Sequence, residues 1–152
     1  MTTSIATPAT LVRRYFSACE TRDRQILEGM LDEGFTFSSP LDDRISRAAY
    51  FARCWPNSQT LRRITVEKIF EQGDEAFVRY EAESATGKKF RNTEWFRFEN
   101  GRLMEVQVYF GRDTRPALPA TAASRATSAS TSASAAPARR AEWPATAALF
   151  PR

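Results

Sequence analysis

The sequence predicts an α+β domain in which three N-terminal helices pack on a curved, mostly antiparallel sheet rolled into a cone. Three observations carry this. Apolar residues recur at helical spacing over the first 55 positions, four strand-length segments separated by turn residues follow, and the apolar pattern gives out near Phe110. Helices followed by a run of antiparallel strands place the helices on one face of the sheet. The boundaries are a disordered N-terminus at 1–7, the cone domain at 8–112 and a low-complexity tail at 113–152.

Thr7-Pro8 suits an N-cap followed by the first helical position, and Leu11, Val12, Tyr15, Phe16 and Cys19 then form one apolar stripe up to about Thr21. A second helix starts after Asp23, with Ile26, Leu27, Met30 and Leu31 on its stripe, and Gly34 ends it. Residues 35–40 read as a short strand closed by Pro40. Ser46 caps a third helix, carrying Ala49, Tyr50, Cys54 and Trp55, that stops at Pro56. Four strands follow at about 61–71, 75–84, 88–98 and 103–110. Gln72-Gly73-Asp74, Ala85-Thr86-Gly87 and Asn100-Gly101 supply the turns between them.

The tail is built mainly from Ala, Ser, Thr and Pro, with too little apolar surface to offset the entropy of ordering it. It also holds the chain's excess charge. Residues 112–152 carry six arginines against two acids, which is the whole of the net +4, so the domain itself is balanced. A neutral domain gives no reason to expect a nucleic-acid partner. With no basic start or apolar run at the N-terminus and no segment of membrane-spanning length, no membrane partner is expected, and the expected location is cytoplasmic. Cys19 and Cys54 belong to no metal or redox motif and read as buried thiols of a reducing compartment. Histidine is absent, which removes the usual general base, the Ser-His and Cys-His nucleophile systems and the commonest zinc ligand.

The chemistry points to Glu94, a carboxyl inside the aromatic strand Glu94-Trp95-Phe96-Arg97-Phe98. Alternation places Asn92, Glu94, Phe96 and Phe98 on one side, where apolar neighbours would keep the acid protonated near neutral pH. A three-residue loop at Ala85-Thr86-Gly87 adds Val78, Tyr80 and Ala82 to that concave face and turns Arg79, Glu81 and Glu83 outward. A two-residue loop would crowd Glu81 and Glu83 against Glu94. A one-residue bulge would turn Glu94 to the opposite face. Phe51, Trp55, Val106, Val108 and Phe110 either line a ligand cavity or fill it. Asp42 and Asp43 read as a solvated turn or as a displaced base.

The order helix, helix, strand ending in Ser39-Pro40, helix, meander with its Gly101-Arg102-Leu103 hairpin resembles the nuclear transport factor 2-like superfamily, within it the SnoaL-like and ketosteroid isomerase-like branches. The resemblance covers residues 8–112 and implies a cystatin-like roll enclosing a conical pocket. Arg14-Tyr15-Phe16 places Tyr15 where the isomerases keep the phenol that donates to the substrate oxyanion. Glu94 falls where they keep a protonated second donor; that isomerase is a standard worked case of an acid held neutral by its apolar site. Ser39 stands where the family's base, an aspartate, precedes the proline. In the cyclase branch the strand acid works as acid or base in an aldol closure, and the match again falls on Glu94.

The resemblance thus implies a cofactor-independent, metal-free site with Tyr15 and Glu94 as the reacting pair. Ser39, Val78, Tyr80, Asn92 and Phe96 join the residues above around an apolar small molecule. It further implies a homodimer through the outer sheet face. The expected function is isomerisation or aldol-type cyclisation of an apolar carbonyl compound, or a noncatalytic ligand-binding or dimerisation domain that has lost its base.

Overall fold

The computed structural model describes residues 4–113; the first three residues and the tail expected at 113–152, apart from Asp113, lie outside that range. Helix α1 spans Pro8–Thr21, α2 Arg24–Met30 and α3 Arg47–Arg53, and a 3-10 turn runs Trp55–Thr60. The strands are β1 Leu31–Ser39, β2 Asp42–Ser46, β3 Leu61–Gln72, β4 Glu75–Ser84, β5 Lys89–Glu99 and β6 Arg102–Asp113. They form one six-stranded sheet in the order β2-β1-β6-β5-β4-β3, antiparallel throughout except for the parallel β1–β6 pair.

Local chemistry sets the helix starts. The side chains of Thr7, Asp23 and Ser46 accept from the backbone N–H groups of Thr10, Ile26 and Ala49, each satisfying one donor that the first turn leaves unpaired. The predicted stripe of α1 is buried as a unit, Leu11, Val12, Tyr15, Phe16 and Cys19 all facing the sheet. No helix among the described residues is long and apolar enough to cross a membrane.

Gly34 does not end α2. The helix stops at Met30, and Gly34 sits inside β1, where the pairing with β6 slips between Leu31 and Thr36. The physical reason lies next door: Asp32 accepts from the Gly34 N–H at 2.9 Å, and Arg102 bonds both Asp32 and the Leu31 carbonyl, pinning an irregular strand start against β6. The segment after Pro40 is β2, paired back on β1, rather than a loop.

The hairpins keep the predicted turns. Glu99 pairs with Arg102 across Asn100 and Gly101, whose φ values of 50° and 76° are what a type I′ turn requires. Ser84 and Lys88 close Ala85-Thr86-Gly87 as the three-residue loop, so Val78 stands opposite Glu94, and Tyr80 opposite Asn92. Glu81 and Glu83 turn outward to meet Arg91, Lys89 and Arg62. The slip that would have reversed Glu94 does not occur on β4.

Candidate active site

Three adjacent rows cross the inner face of the sheet. Glu94 lies between Val78 and Val108, Asn92 between Tyr80 and Phe110, and Phe96 between Ala76 and Val106. Eight of the sequence-derived site residues therefore come together on one surface. Glu94 is 0% exposed, and Tyr15 and Phe16 of α1 close over it, Tyr15 edge-on to Phe96 at 5.3 Å and Phe16 tilted against Tyr80 at 4.8 Å.

Burial in this apolar setting pushes the Glu94 carboxyl up to about 8, and the hydrogen bond from Tyr80 pulls against that rise. At neutral pH the acid is therefore mostly uncharged. Tyr80 donates its hydroxyl to Glu94 Oε1, and Asn92 Nδ2 donates to the Tyr80 oxygen at a long 3.4 Å. Glu94 Oε2 is buried with no hydrogen-bond partner among the described residues. Burial also raises the Tyr15, Tyr50 and Tyr80 phenols, so all three remain proton donors.

The direct partner of Glu94 is thus Tyr80, whereas the hydroxyl of Tyr15 pairs with that of Tyr50 at 2.8 Å. The sequence marks Tyr50 only as an apolar position of the third helix. Its hydroxyl gave no signal because the partner lies 35 residues away on another helix. Cys19 belongs to the same interior, its thiol raised by burial and by the nearby Glu94.

Ser39 is turned elsewhere. Its hydroxyl accepts from the Leu41 N–H at 3.1 Å and donates to Asp42 at 3.4 Å, which closes the β1–β2 turn. Asp42 is buried and paired with Arg53 at 2.5 Å, and Asp43 is exposed. The Asp42 carboxylate is thus engaged with α3 beside the β1–β2 turn. Phe51 and Trp55 pack on each other at 6.4 Å, and Arg24 and Arg47 lie over the Phe51 ring, which marks that pair as the flank of α3.

Inside the predicted cone the rings of Tyr15, Phe16, Tyr80 and Phe96 pack against one another. A cleft of about 180 Å³ between α1 and β3 has Phe16 in its wall, so a single ring lies between that cleft and Tyr80. A larger apolar depression of about 440 Å³ is lined by Pro40, Leu41, Tyr109 and Phe110. Among the described residues no group of three or more His, Cys, Asp or Glu side chains is placed to hold a metal ion.

A curved sheet wrapped on three helices, with a neutral carboxylic acid and phenols inside, defines a nuclear transport factor 2-like protein of the SnoaL branch. The SnoaL-like domain model matches residues 12–106, and the chain belongs to that family. Among solved structures it is similar to a nuclear transport factor 2-like protein of unknown function from Cytophaga hutchinsonii, with 26% identity and a TM-score of 0.60 over 73% of this chain and 95% of that one. A provisionally assigned ketosteroid isomerase from Kribbella flavida matches at 19% identity and TM-score 0.59, covering 74% and 83%. IdmH, a provisionally assigned polyketide cyclase from Streptomyces antibioticus, matches at 19% and 0.58, covering 68% and 91%. At that identity the last two establish the fold alone. A comparison with curated proteins finds no match.

Proposed function

We propose that this chain binds an apolar carbonyl compound and performs acid–base chemistry on it, an isomerisation or an aldol-type cyclisation, without cofactor or metal. The supporting observation is the neutral, wholly buried Glu94 with one oxygen unpartnered. An acid held uncharged there can donate to a carbonyl oxygen as negative charge develops on it. Tyr15 is the second donor: when Tyr50 donates to Tyr15, the Tyr15 proton remains for the ligand oxygen. The names of the cyclase and isomerase neighbours agree with this class and carry no more than that.

The test is titration of a phenol, as an enolate mimic, against wild type, Tyr15→Phe and Glu94→Gln. Both variants are expected to weaken binding about tenfold or more, the scale of one lost hydrogen bond to a charged group. Absence of binding to all three proteins would defeat the proposal. For a turned-over ketone, the acid role makes the rate fall as pH rises through about 8, where the Glu94 proton leaves, while a base role makes it rise.

The noncatalytic reading is favoured by one observation, the Ser39 hydroxyl spent within its own turn. It predicts phenol binding with no exchange of the α-protons of a bound ketone for deuterium.

We propose a second copy of this chain as the partner of the outer sheet face. There Phe70 pairs with Phe77, Phe77 with Trp95, and exposed Tyr109 stands one strand further on, an apolar strip beside the Glu67 ion pairs with Arg79 and Arg91. Strips of that kind on a sheet are normally covered. Phe77→Glu is expected to convert a dimer to a monomer in light scattering, and a wild type that is already monomeric would exclude the partner.

A further inference from the structure

The hydrogen bonds around Glu94 run in one direction, and the backbone sets it. Opposite Asn92, β6 slips in register: Phe110 faces Asn92, yet Asp113 faces Phe90. Within this bulge the Gly111 N–H donates to Asn92 Oδ1 at 3.2 Å. A backbone N–H can only donate, so the amide oxygen must face Gly111 and the amide nitrogen must face Tyr80. Asn92 Nδ2 then occupies the Tyr80 oxygen as an acceptor, and the Tyr80 proton is left to point at Glu94 Oε1. In a neutral acid the carbonyl oxygen is the much stronger acceptor, so the Tyr80 hydroxyl marks Oε1 as the carbonyl. The Glu94 proton therefore sits on Oε2, the atom with no protein partner.

We infer that Asn92 and the Gly111 bulge form a positioning device that holds the Glu94 proton on Oε2, so that the site selects ligands presenting an acceptor oxygen over ligands presenting a donor. Ketone carbonyls and enolates are the class it admits. Groups of the same shape that present only donors, such as an amide N–H or an amino group whose lone pair is drawn into a nitro-substituted ring, are the class it rejects, because two donors facing each other leave both unpaired. Asn92 acts through Tyr80 and Glu94 and need not touch the ligand. The inference rests on the reading of Glu94 as the acid that meets the ligand.

Infrared spectroscopy reads the device without any ligand. At about pH 6.5 ordinary carboxyls are ionised, so the protonated-carboxyl band that disappears in Glu94→Gln belongs to Glu94. In wild type its carbonyl accepts from Tyr80 and the band lies low. In Asn92→Leu the Tyr80 hydroxyl is free to turn, the proton can move to Oε1, and the band is expected to rise toward that of an unbonded acid. Binding supplies the second readout, with 4-nitrophenolate as the acceptor probe and 4-nitroaniline as the donor of the same shape, at about pH 7.5 where Glu94 is still mainly protonated. Wild type is expected to prefer the phenolate by about tenfold or more. Asn92→Leu and Tyr80→Phe should each remove that preference, and the double variant should bind no more weakly than Tyr80→Phe alone.

An unchanged band in Asn92→Leu, or a further tenfold loss when it is added to Tyr80→Phe, would overturn the inference. If Asn92→Leu does not fold, the wild-type band still decides: a position typical of an unbonded carbonyl rules the device out. Wild type that binds neither probe removes the functional reading, while the infrared comparison continues to judge the role of Asn92.

Discussion

Replacing Glu94 by Gln is expected to remove a fall in stability of roughly 5 kcal/mol that wild type suffers between about pH 4.5 and pH 8. The acid is raised in the fold from its ordinary 4.5 to about 8, mainly by desolvation. Between those values the unfolded chain has lost the proton and the native state keeps it. The native state thus binds more protons, and stability declines as pH rises through that window. The groups facing the carboxyl cannot reverse this sign. Tyr80 donates to it, while Tyr15 and Cys19 from α1 and Tyr50 from α3 are themselves raised and remain neutral. Glutamine keeps the acceptor for Tyr80 and leaves its own amide unpartnered where Oε2 was, a cost of about 1–3 kcal/mol that does not vary with pH. Urea unfolding at several pH values should therefore give two curves that diverge, with the variant gaining on wild type by about 3 kcal/mol at pH 7 relative to the acid limit. Parallel curves would mean that the carboxyl is solvated in the native state. The same substitution weakens the proposed chemistry, the exchange of stability for function expected of an acid kept in an apolar interior.

Much of this site was legible because strands alternate. Once the Ala85-Thr86-Gly87 loop is counted as three residues, the face of Glu94 fixes the faces of Val78, Tyr80 and Ala82, and the charges of Glu81 and Glu83 exclude the other register. The stripe of α1 and the Asn100-Gly101 turn follow from equally local rules. What escaped depends on contacts distant in sequence. Gly34 looks like a helix terminator until Arg102 is known to hold the start of β1. Spacing marks Tyr15 and Glu94 but not their bonds: Tyr50 reaches Tyr15 from α3, and Tyr80 on the neighbouring strand bonds Glu94. Spacing gives the face of each residue, whereas the pairing of hydroxyls depends on how the helices lie across the sheet.

Gly111→Ala is expected to destabilise the domain by about 3 kcal/mol or more. A Cβ at that position would stand 1.9 Å from the Arg91 carbonyl oxygen and 2.9 Å from its carbon, both of them backbone atoms of β5. Side chains can turn away from such an intrusion, but a paired strand must bend. The bulge that brings Arg91 close is the one that presents the Gly111 N–H to Asn92, so strain and site are coupled. Where the variant folds, the strand has moved, and the Glu94 infrared band should rise as it does in Asn92→Leu. Gly29 supplies the control. It lies in α2 with nothing within 4 Å of its added Cβ, so Gly29→Ala should stabilise by about 0.5–1 kcal/mol and leave the band alone. A Gly111→Ala protein as stable as wild type, measured by urea unfolding beside Gly29→Ala, would show that β6 does not run as close to Arg91 as the bulge requires. The fixed direction of the Asn92 amide would lose its cause with it.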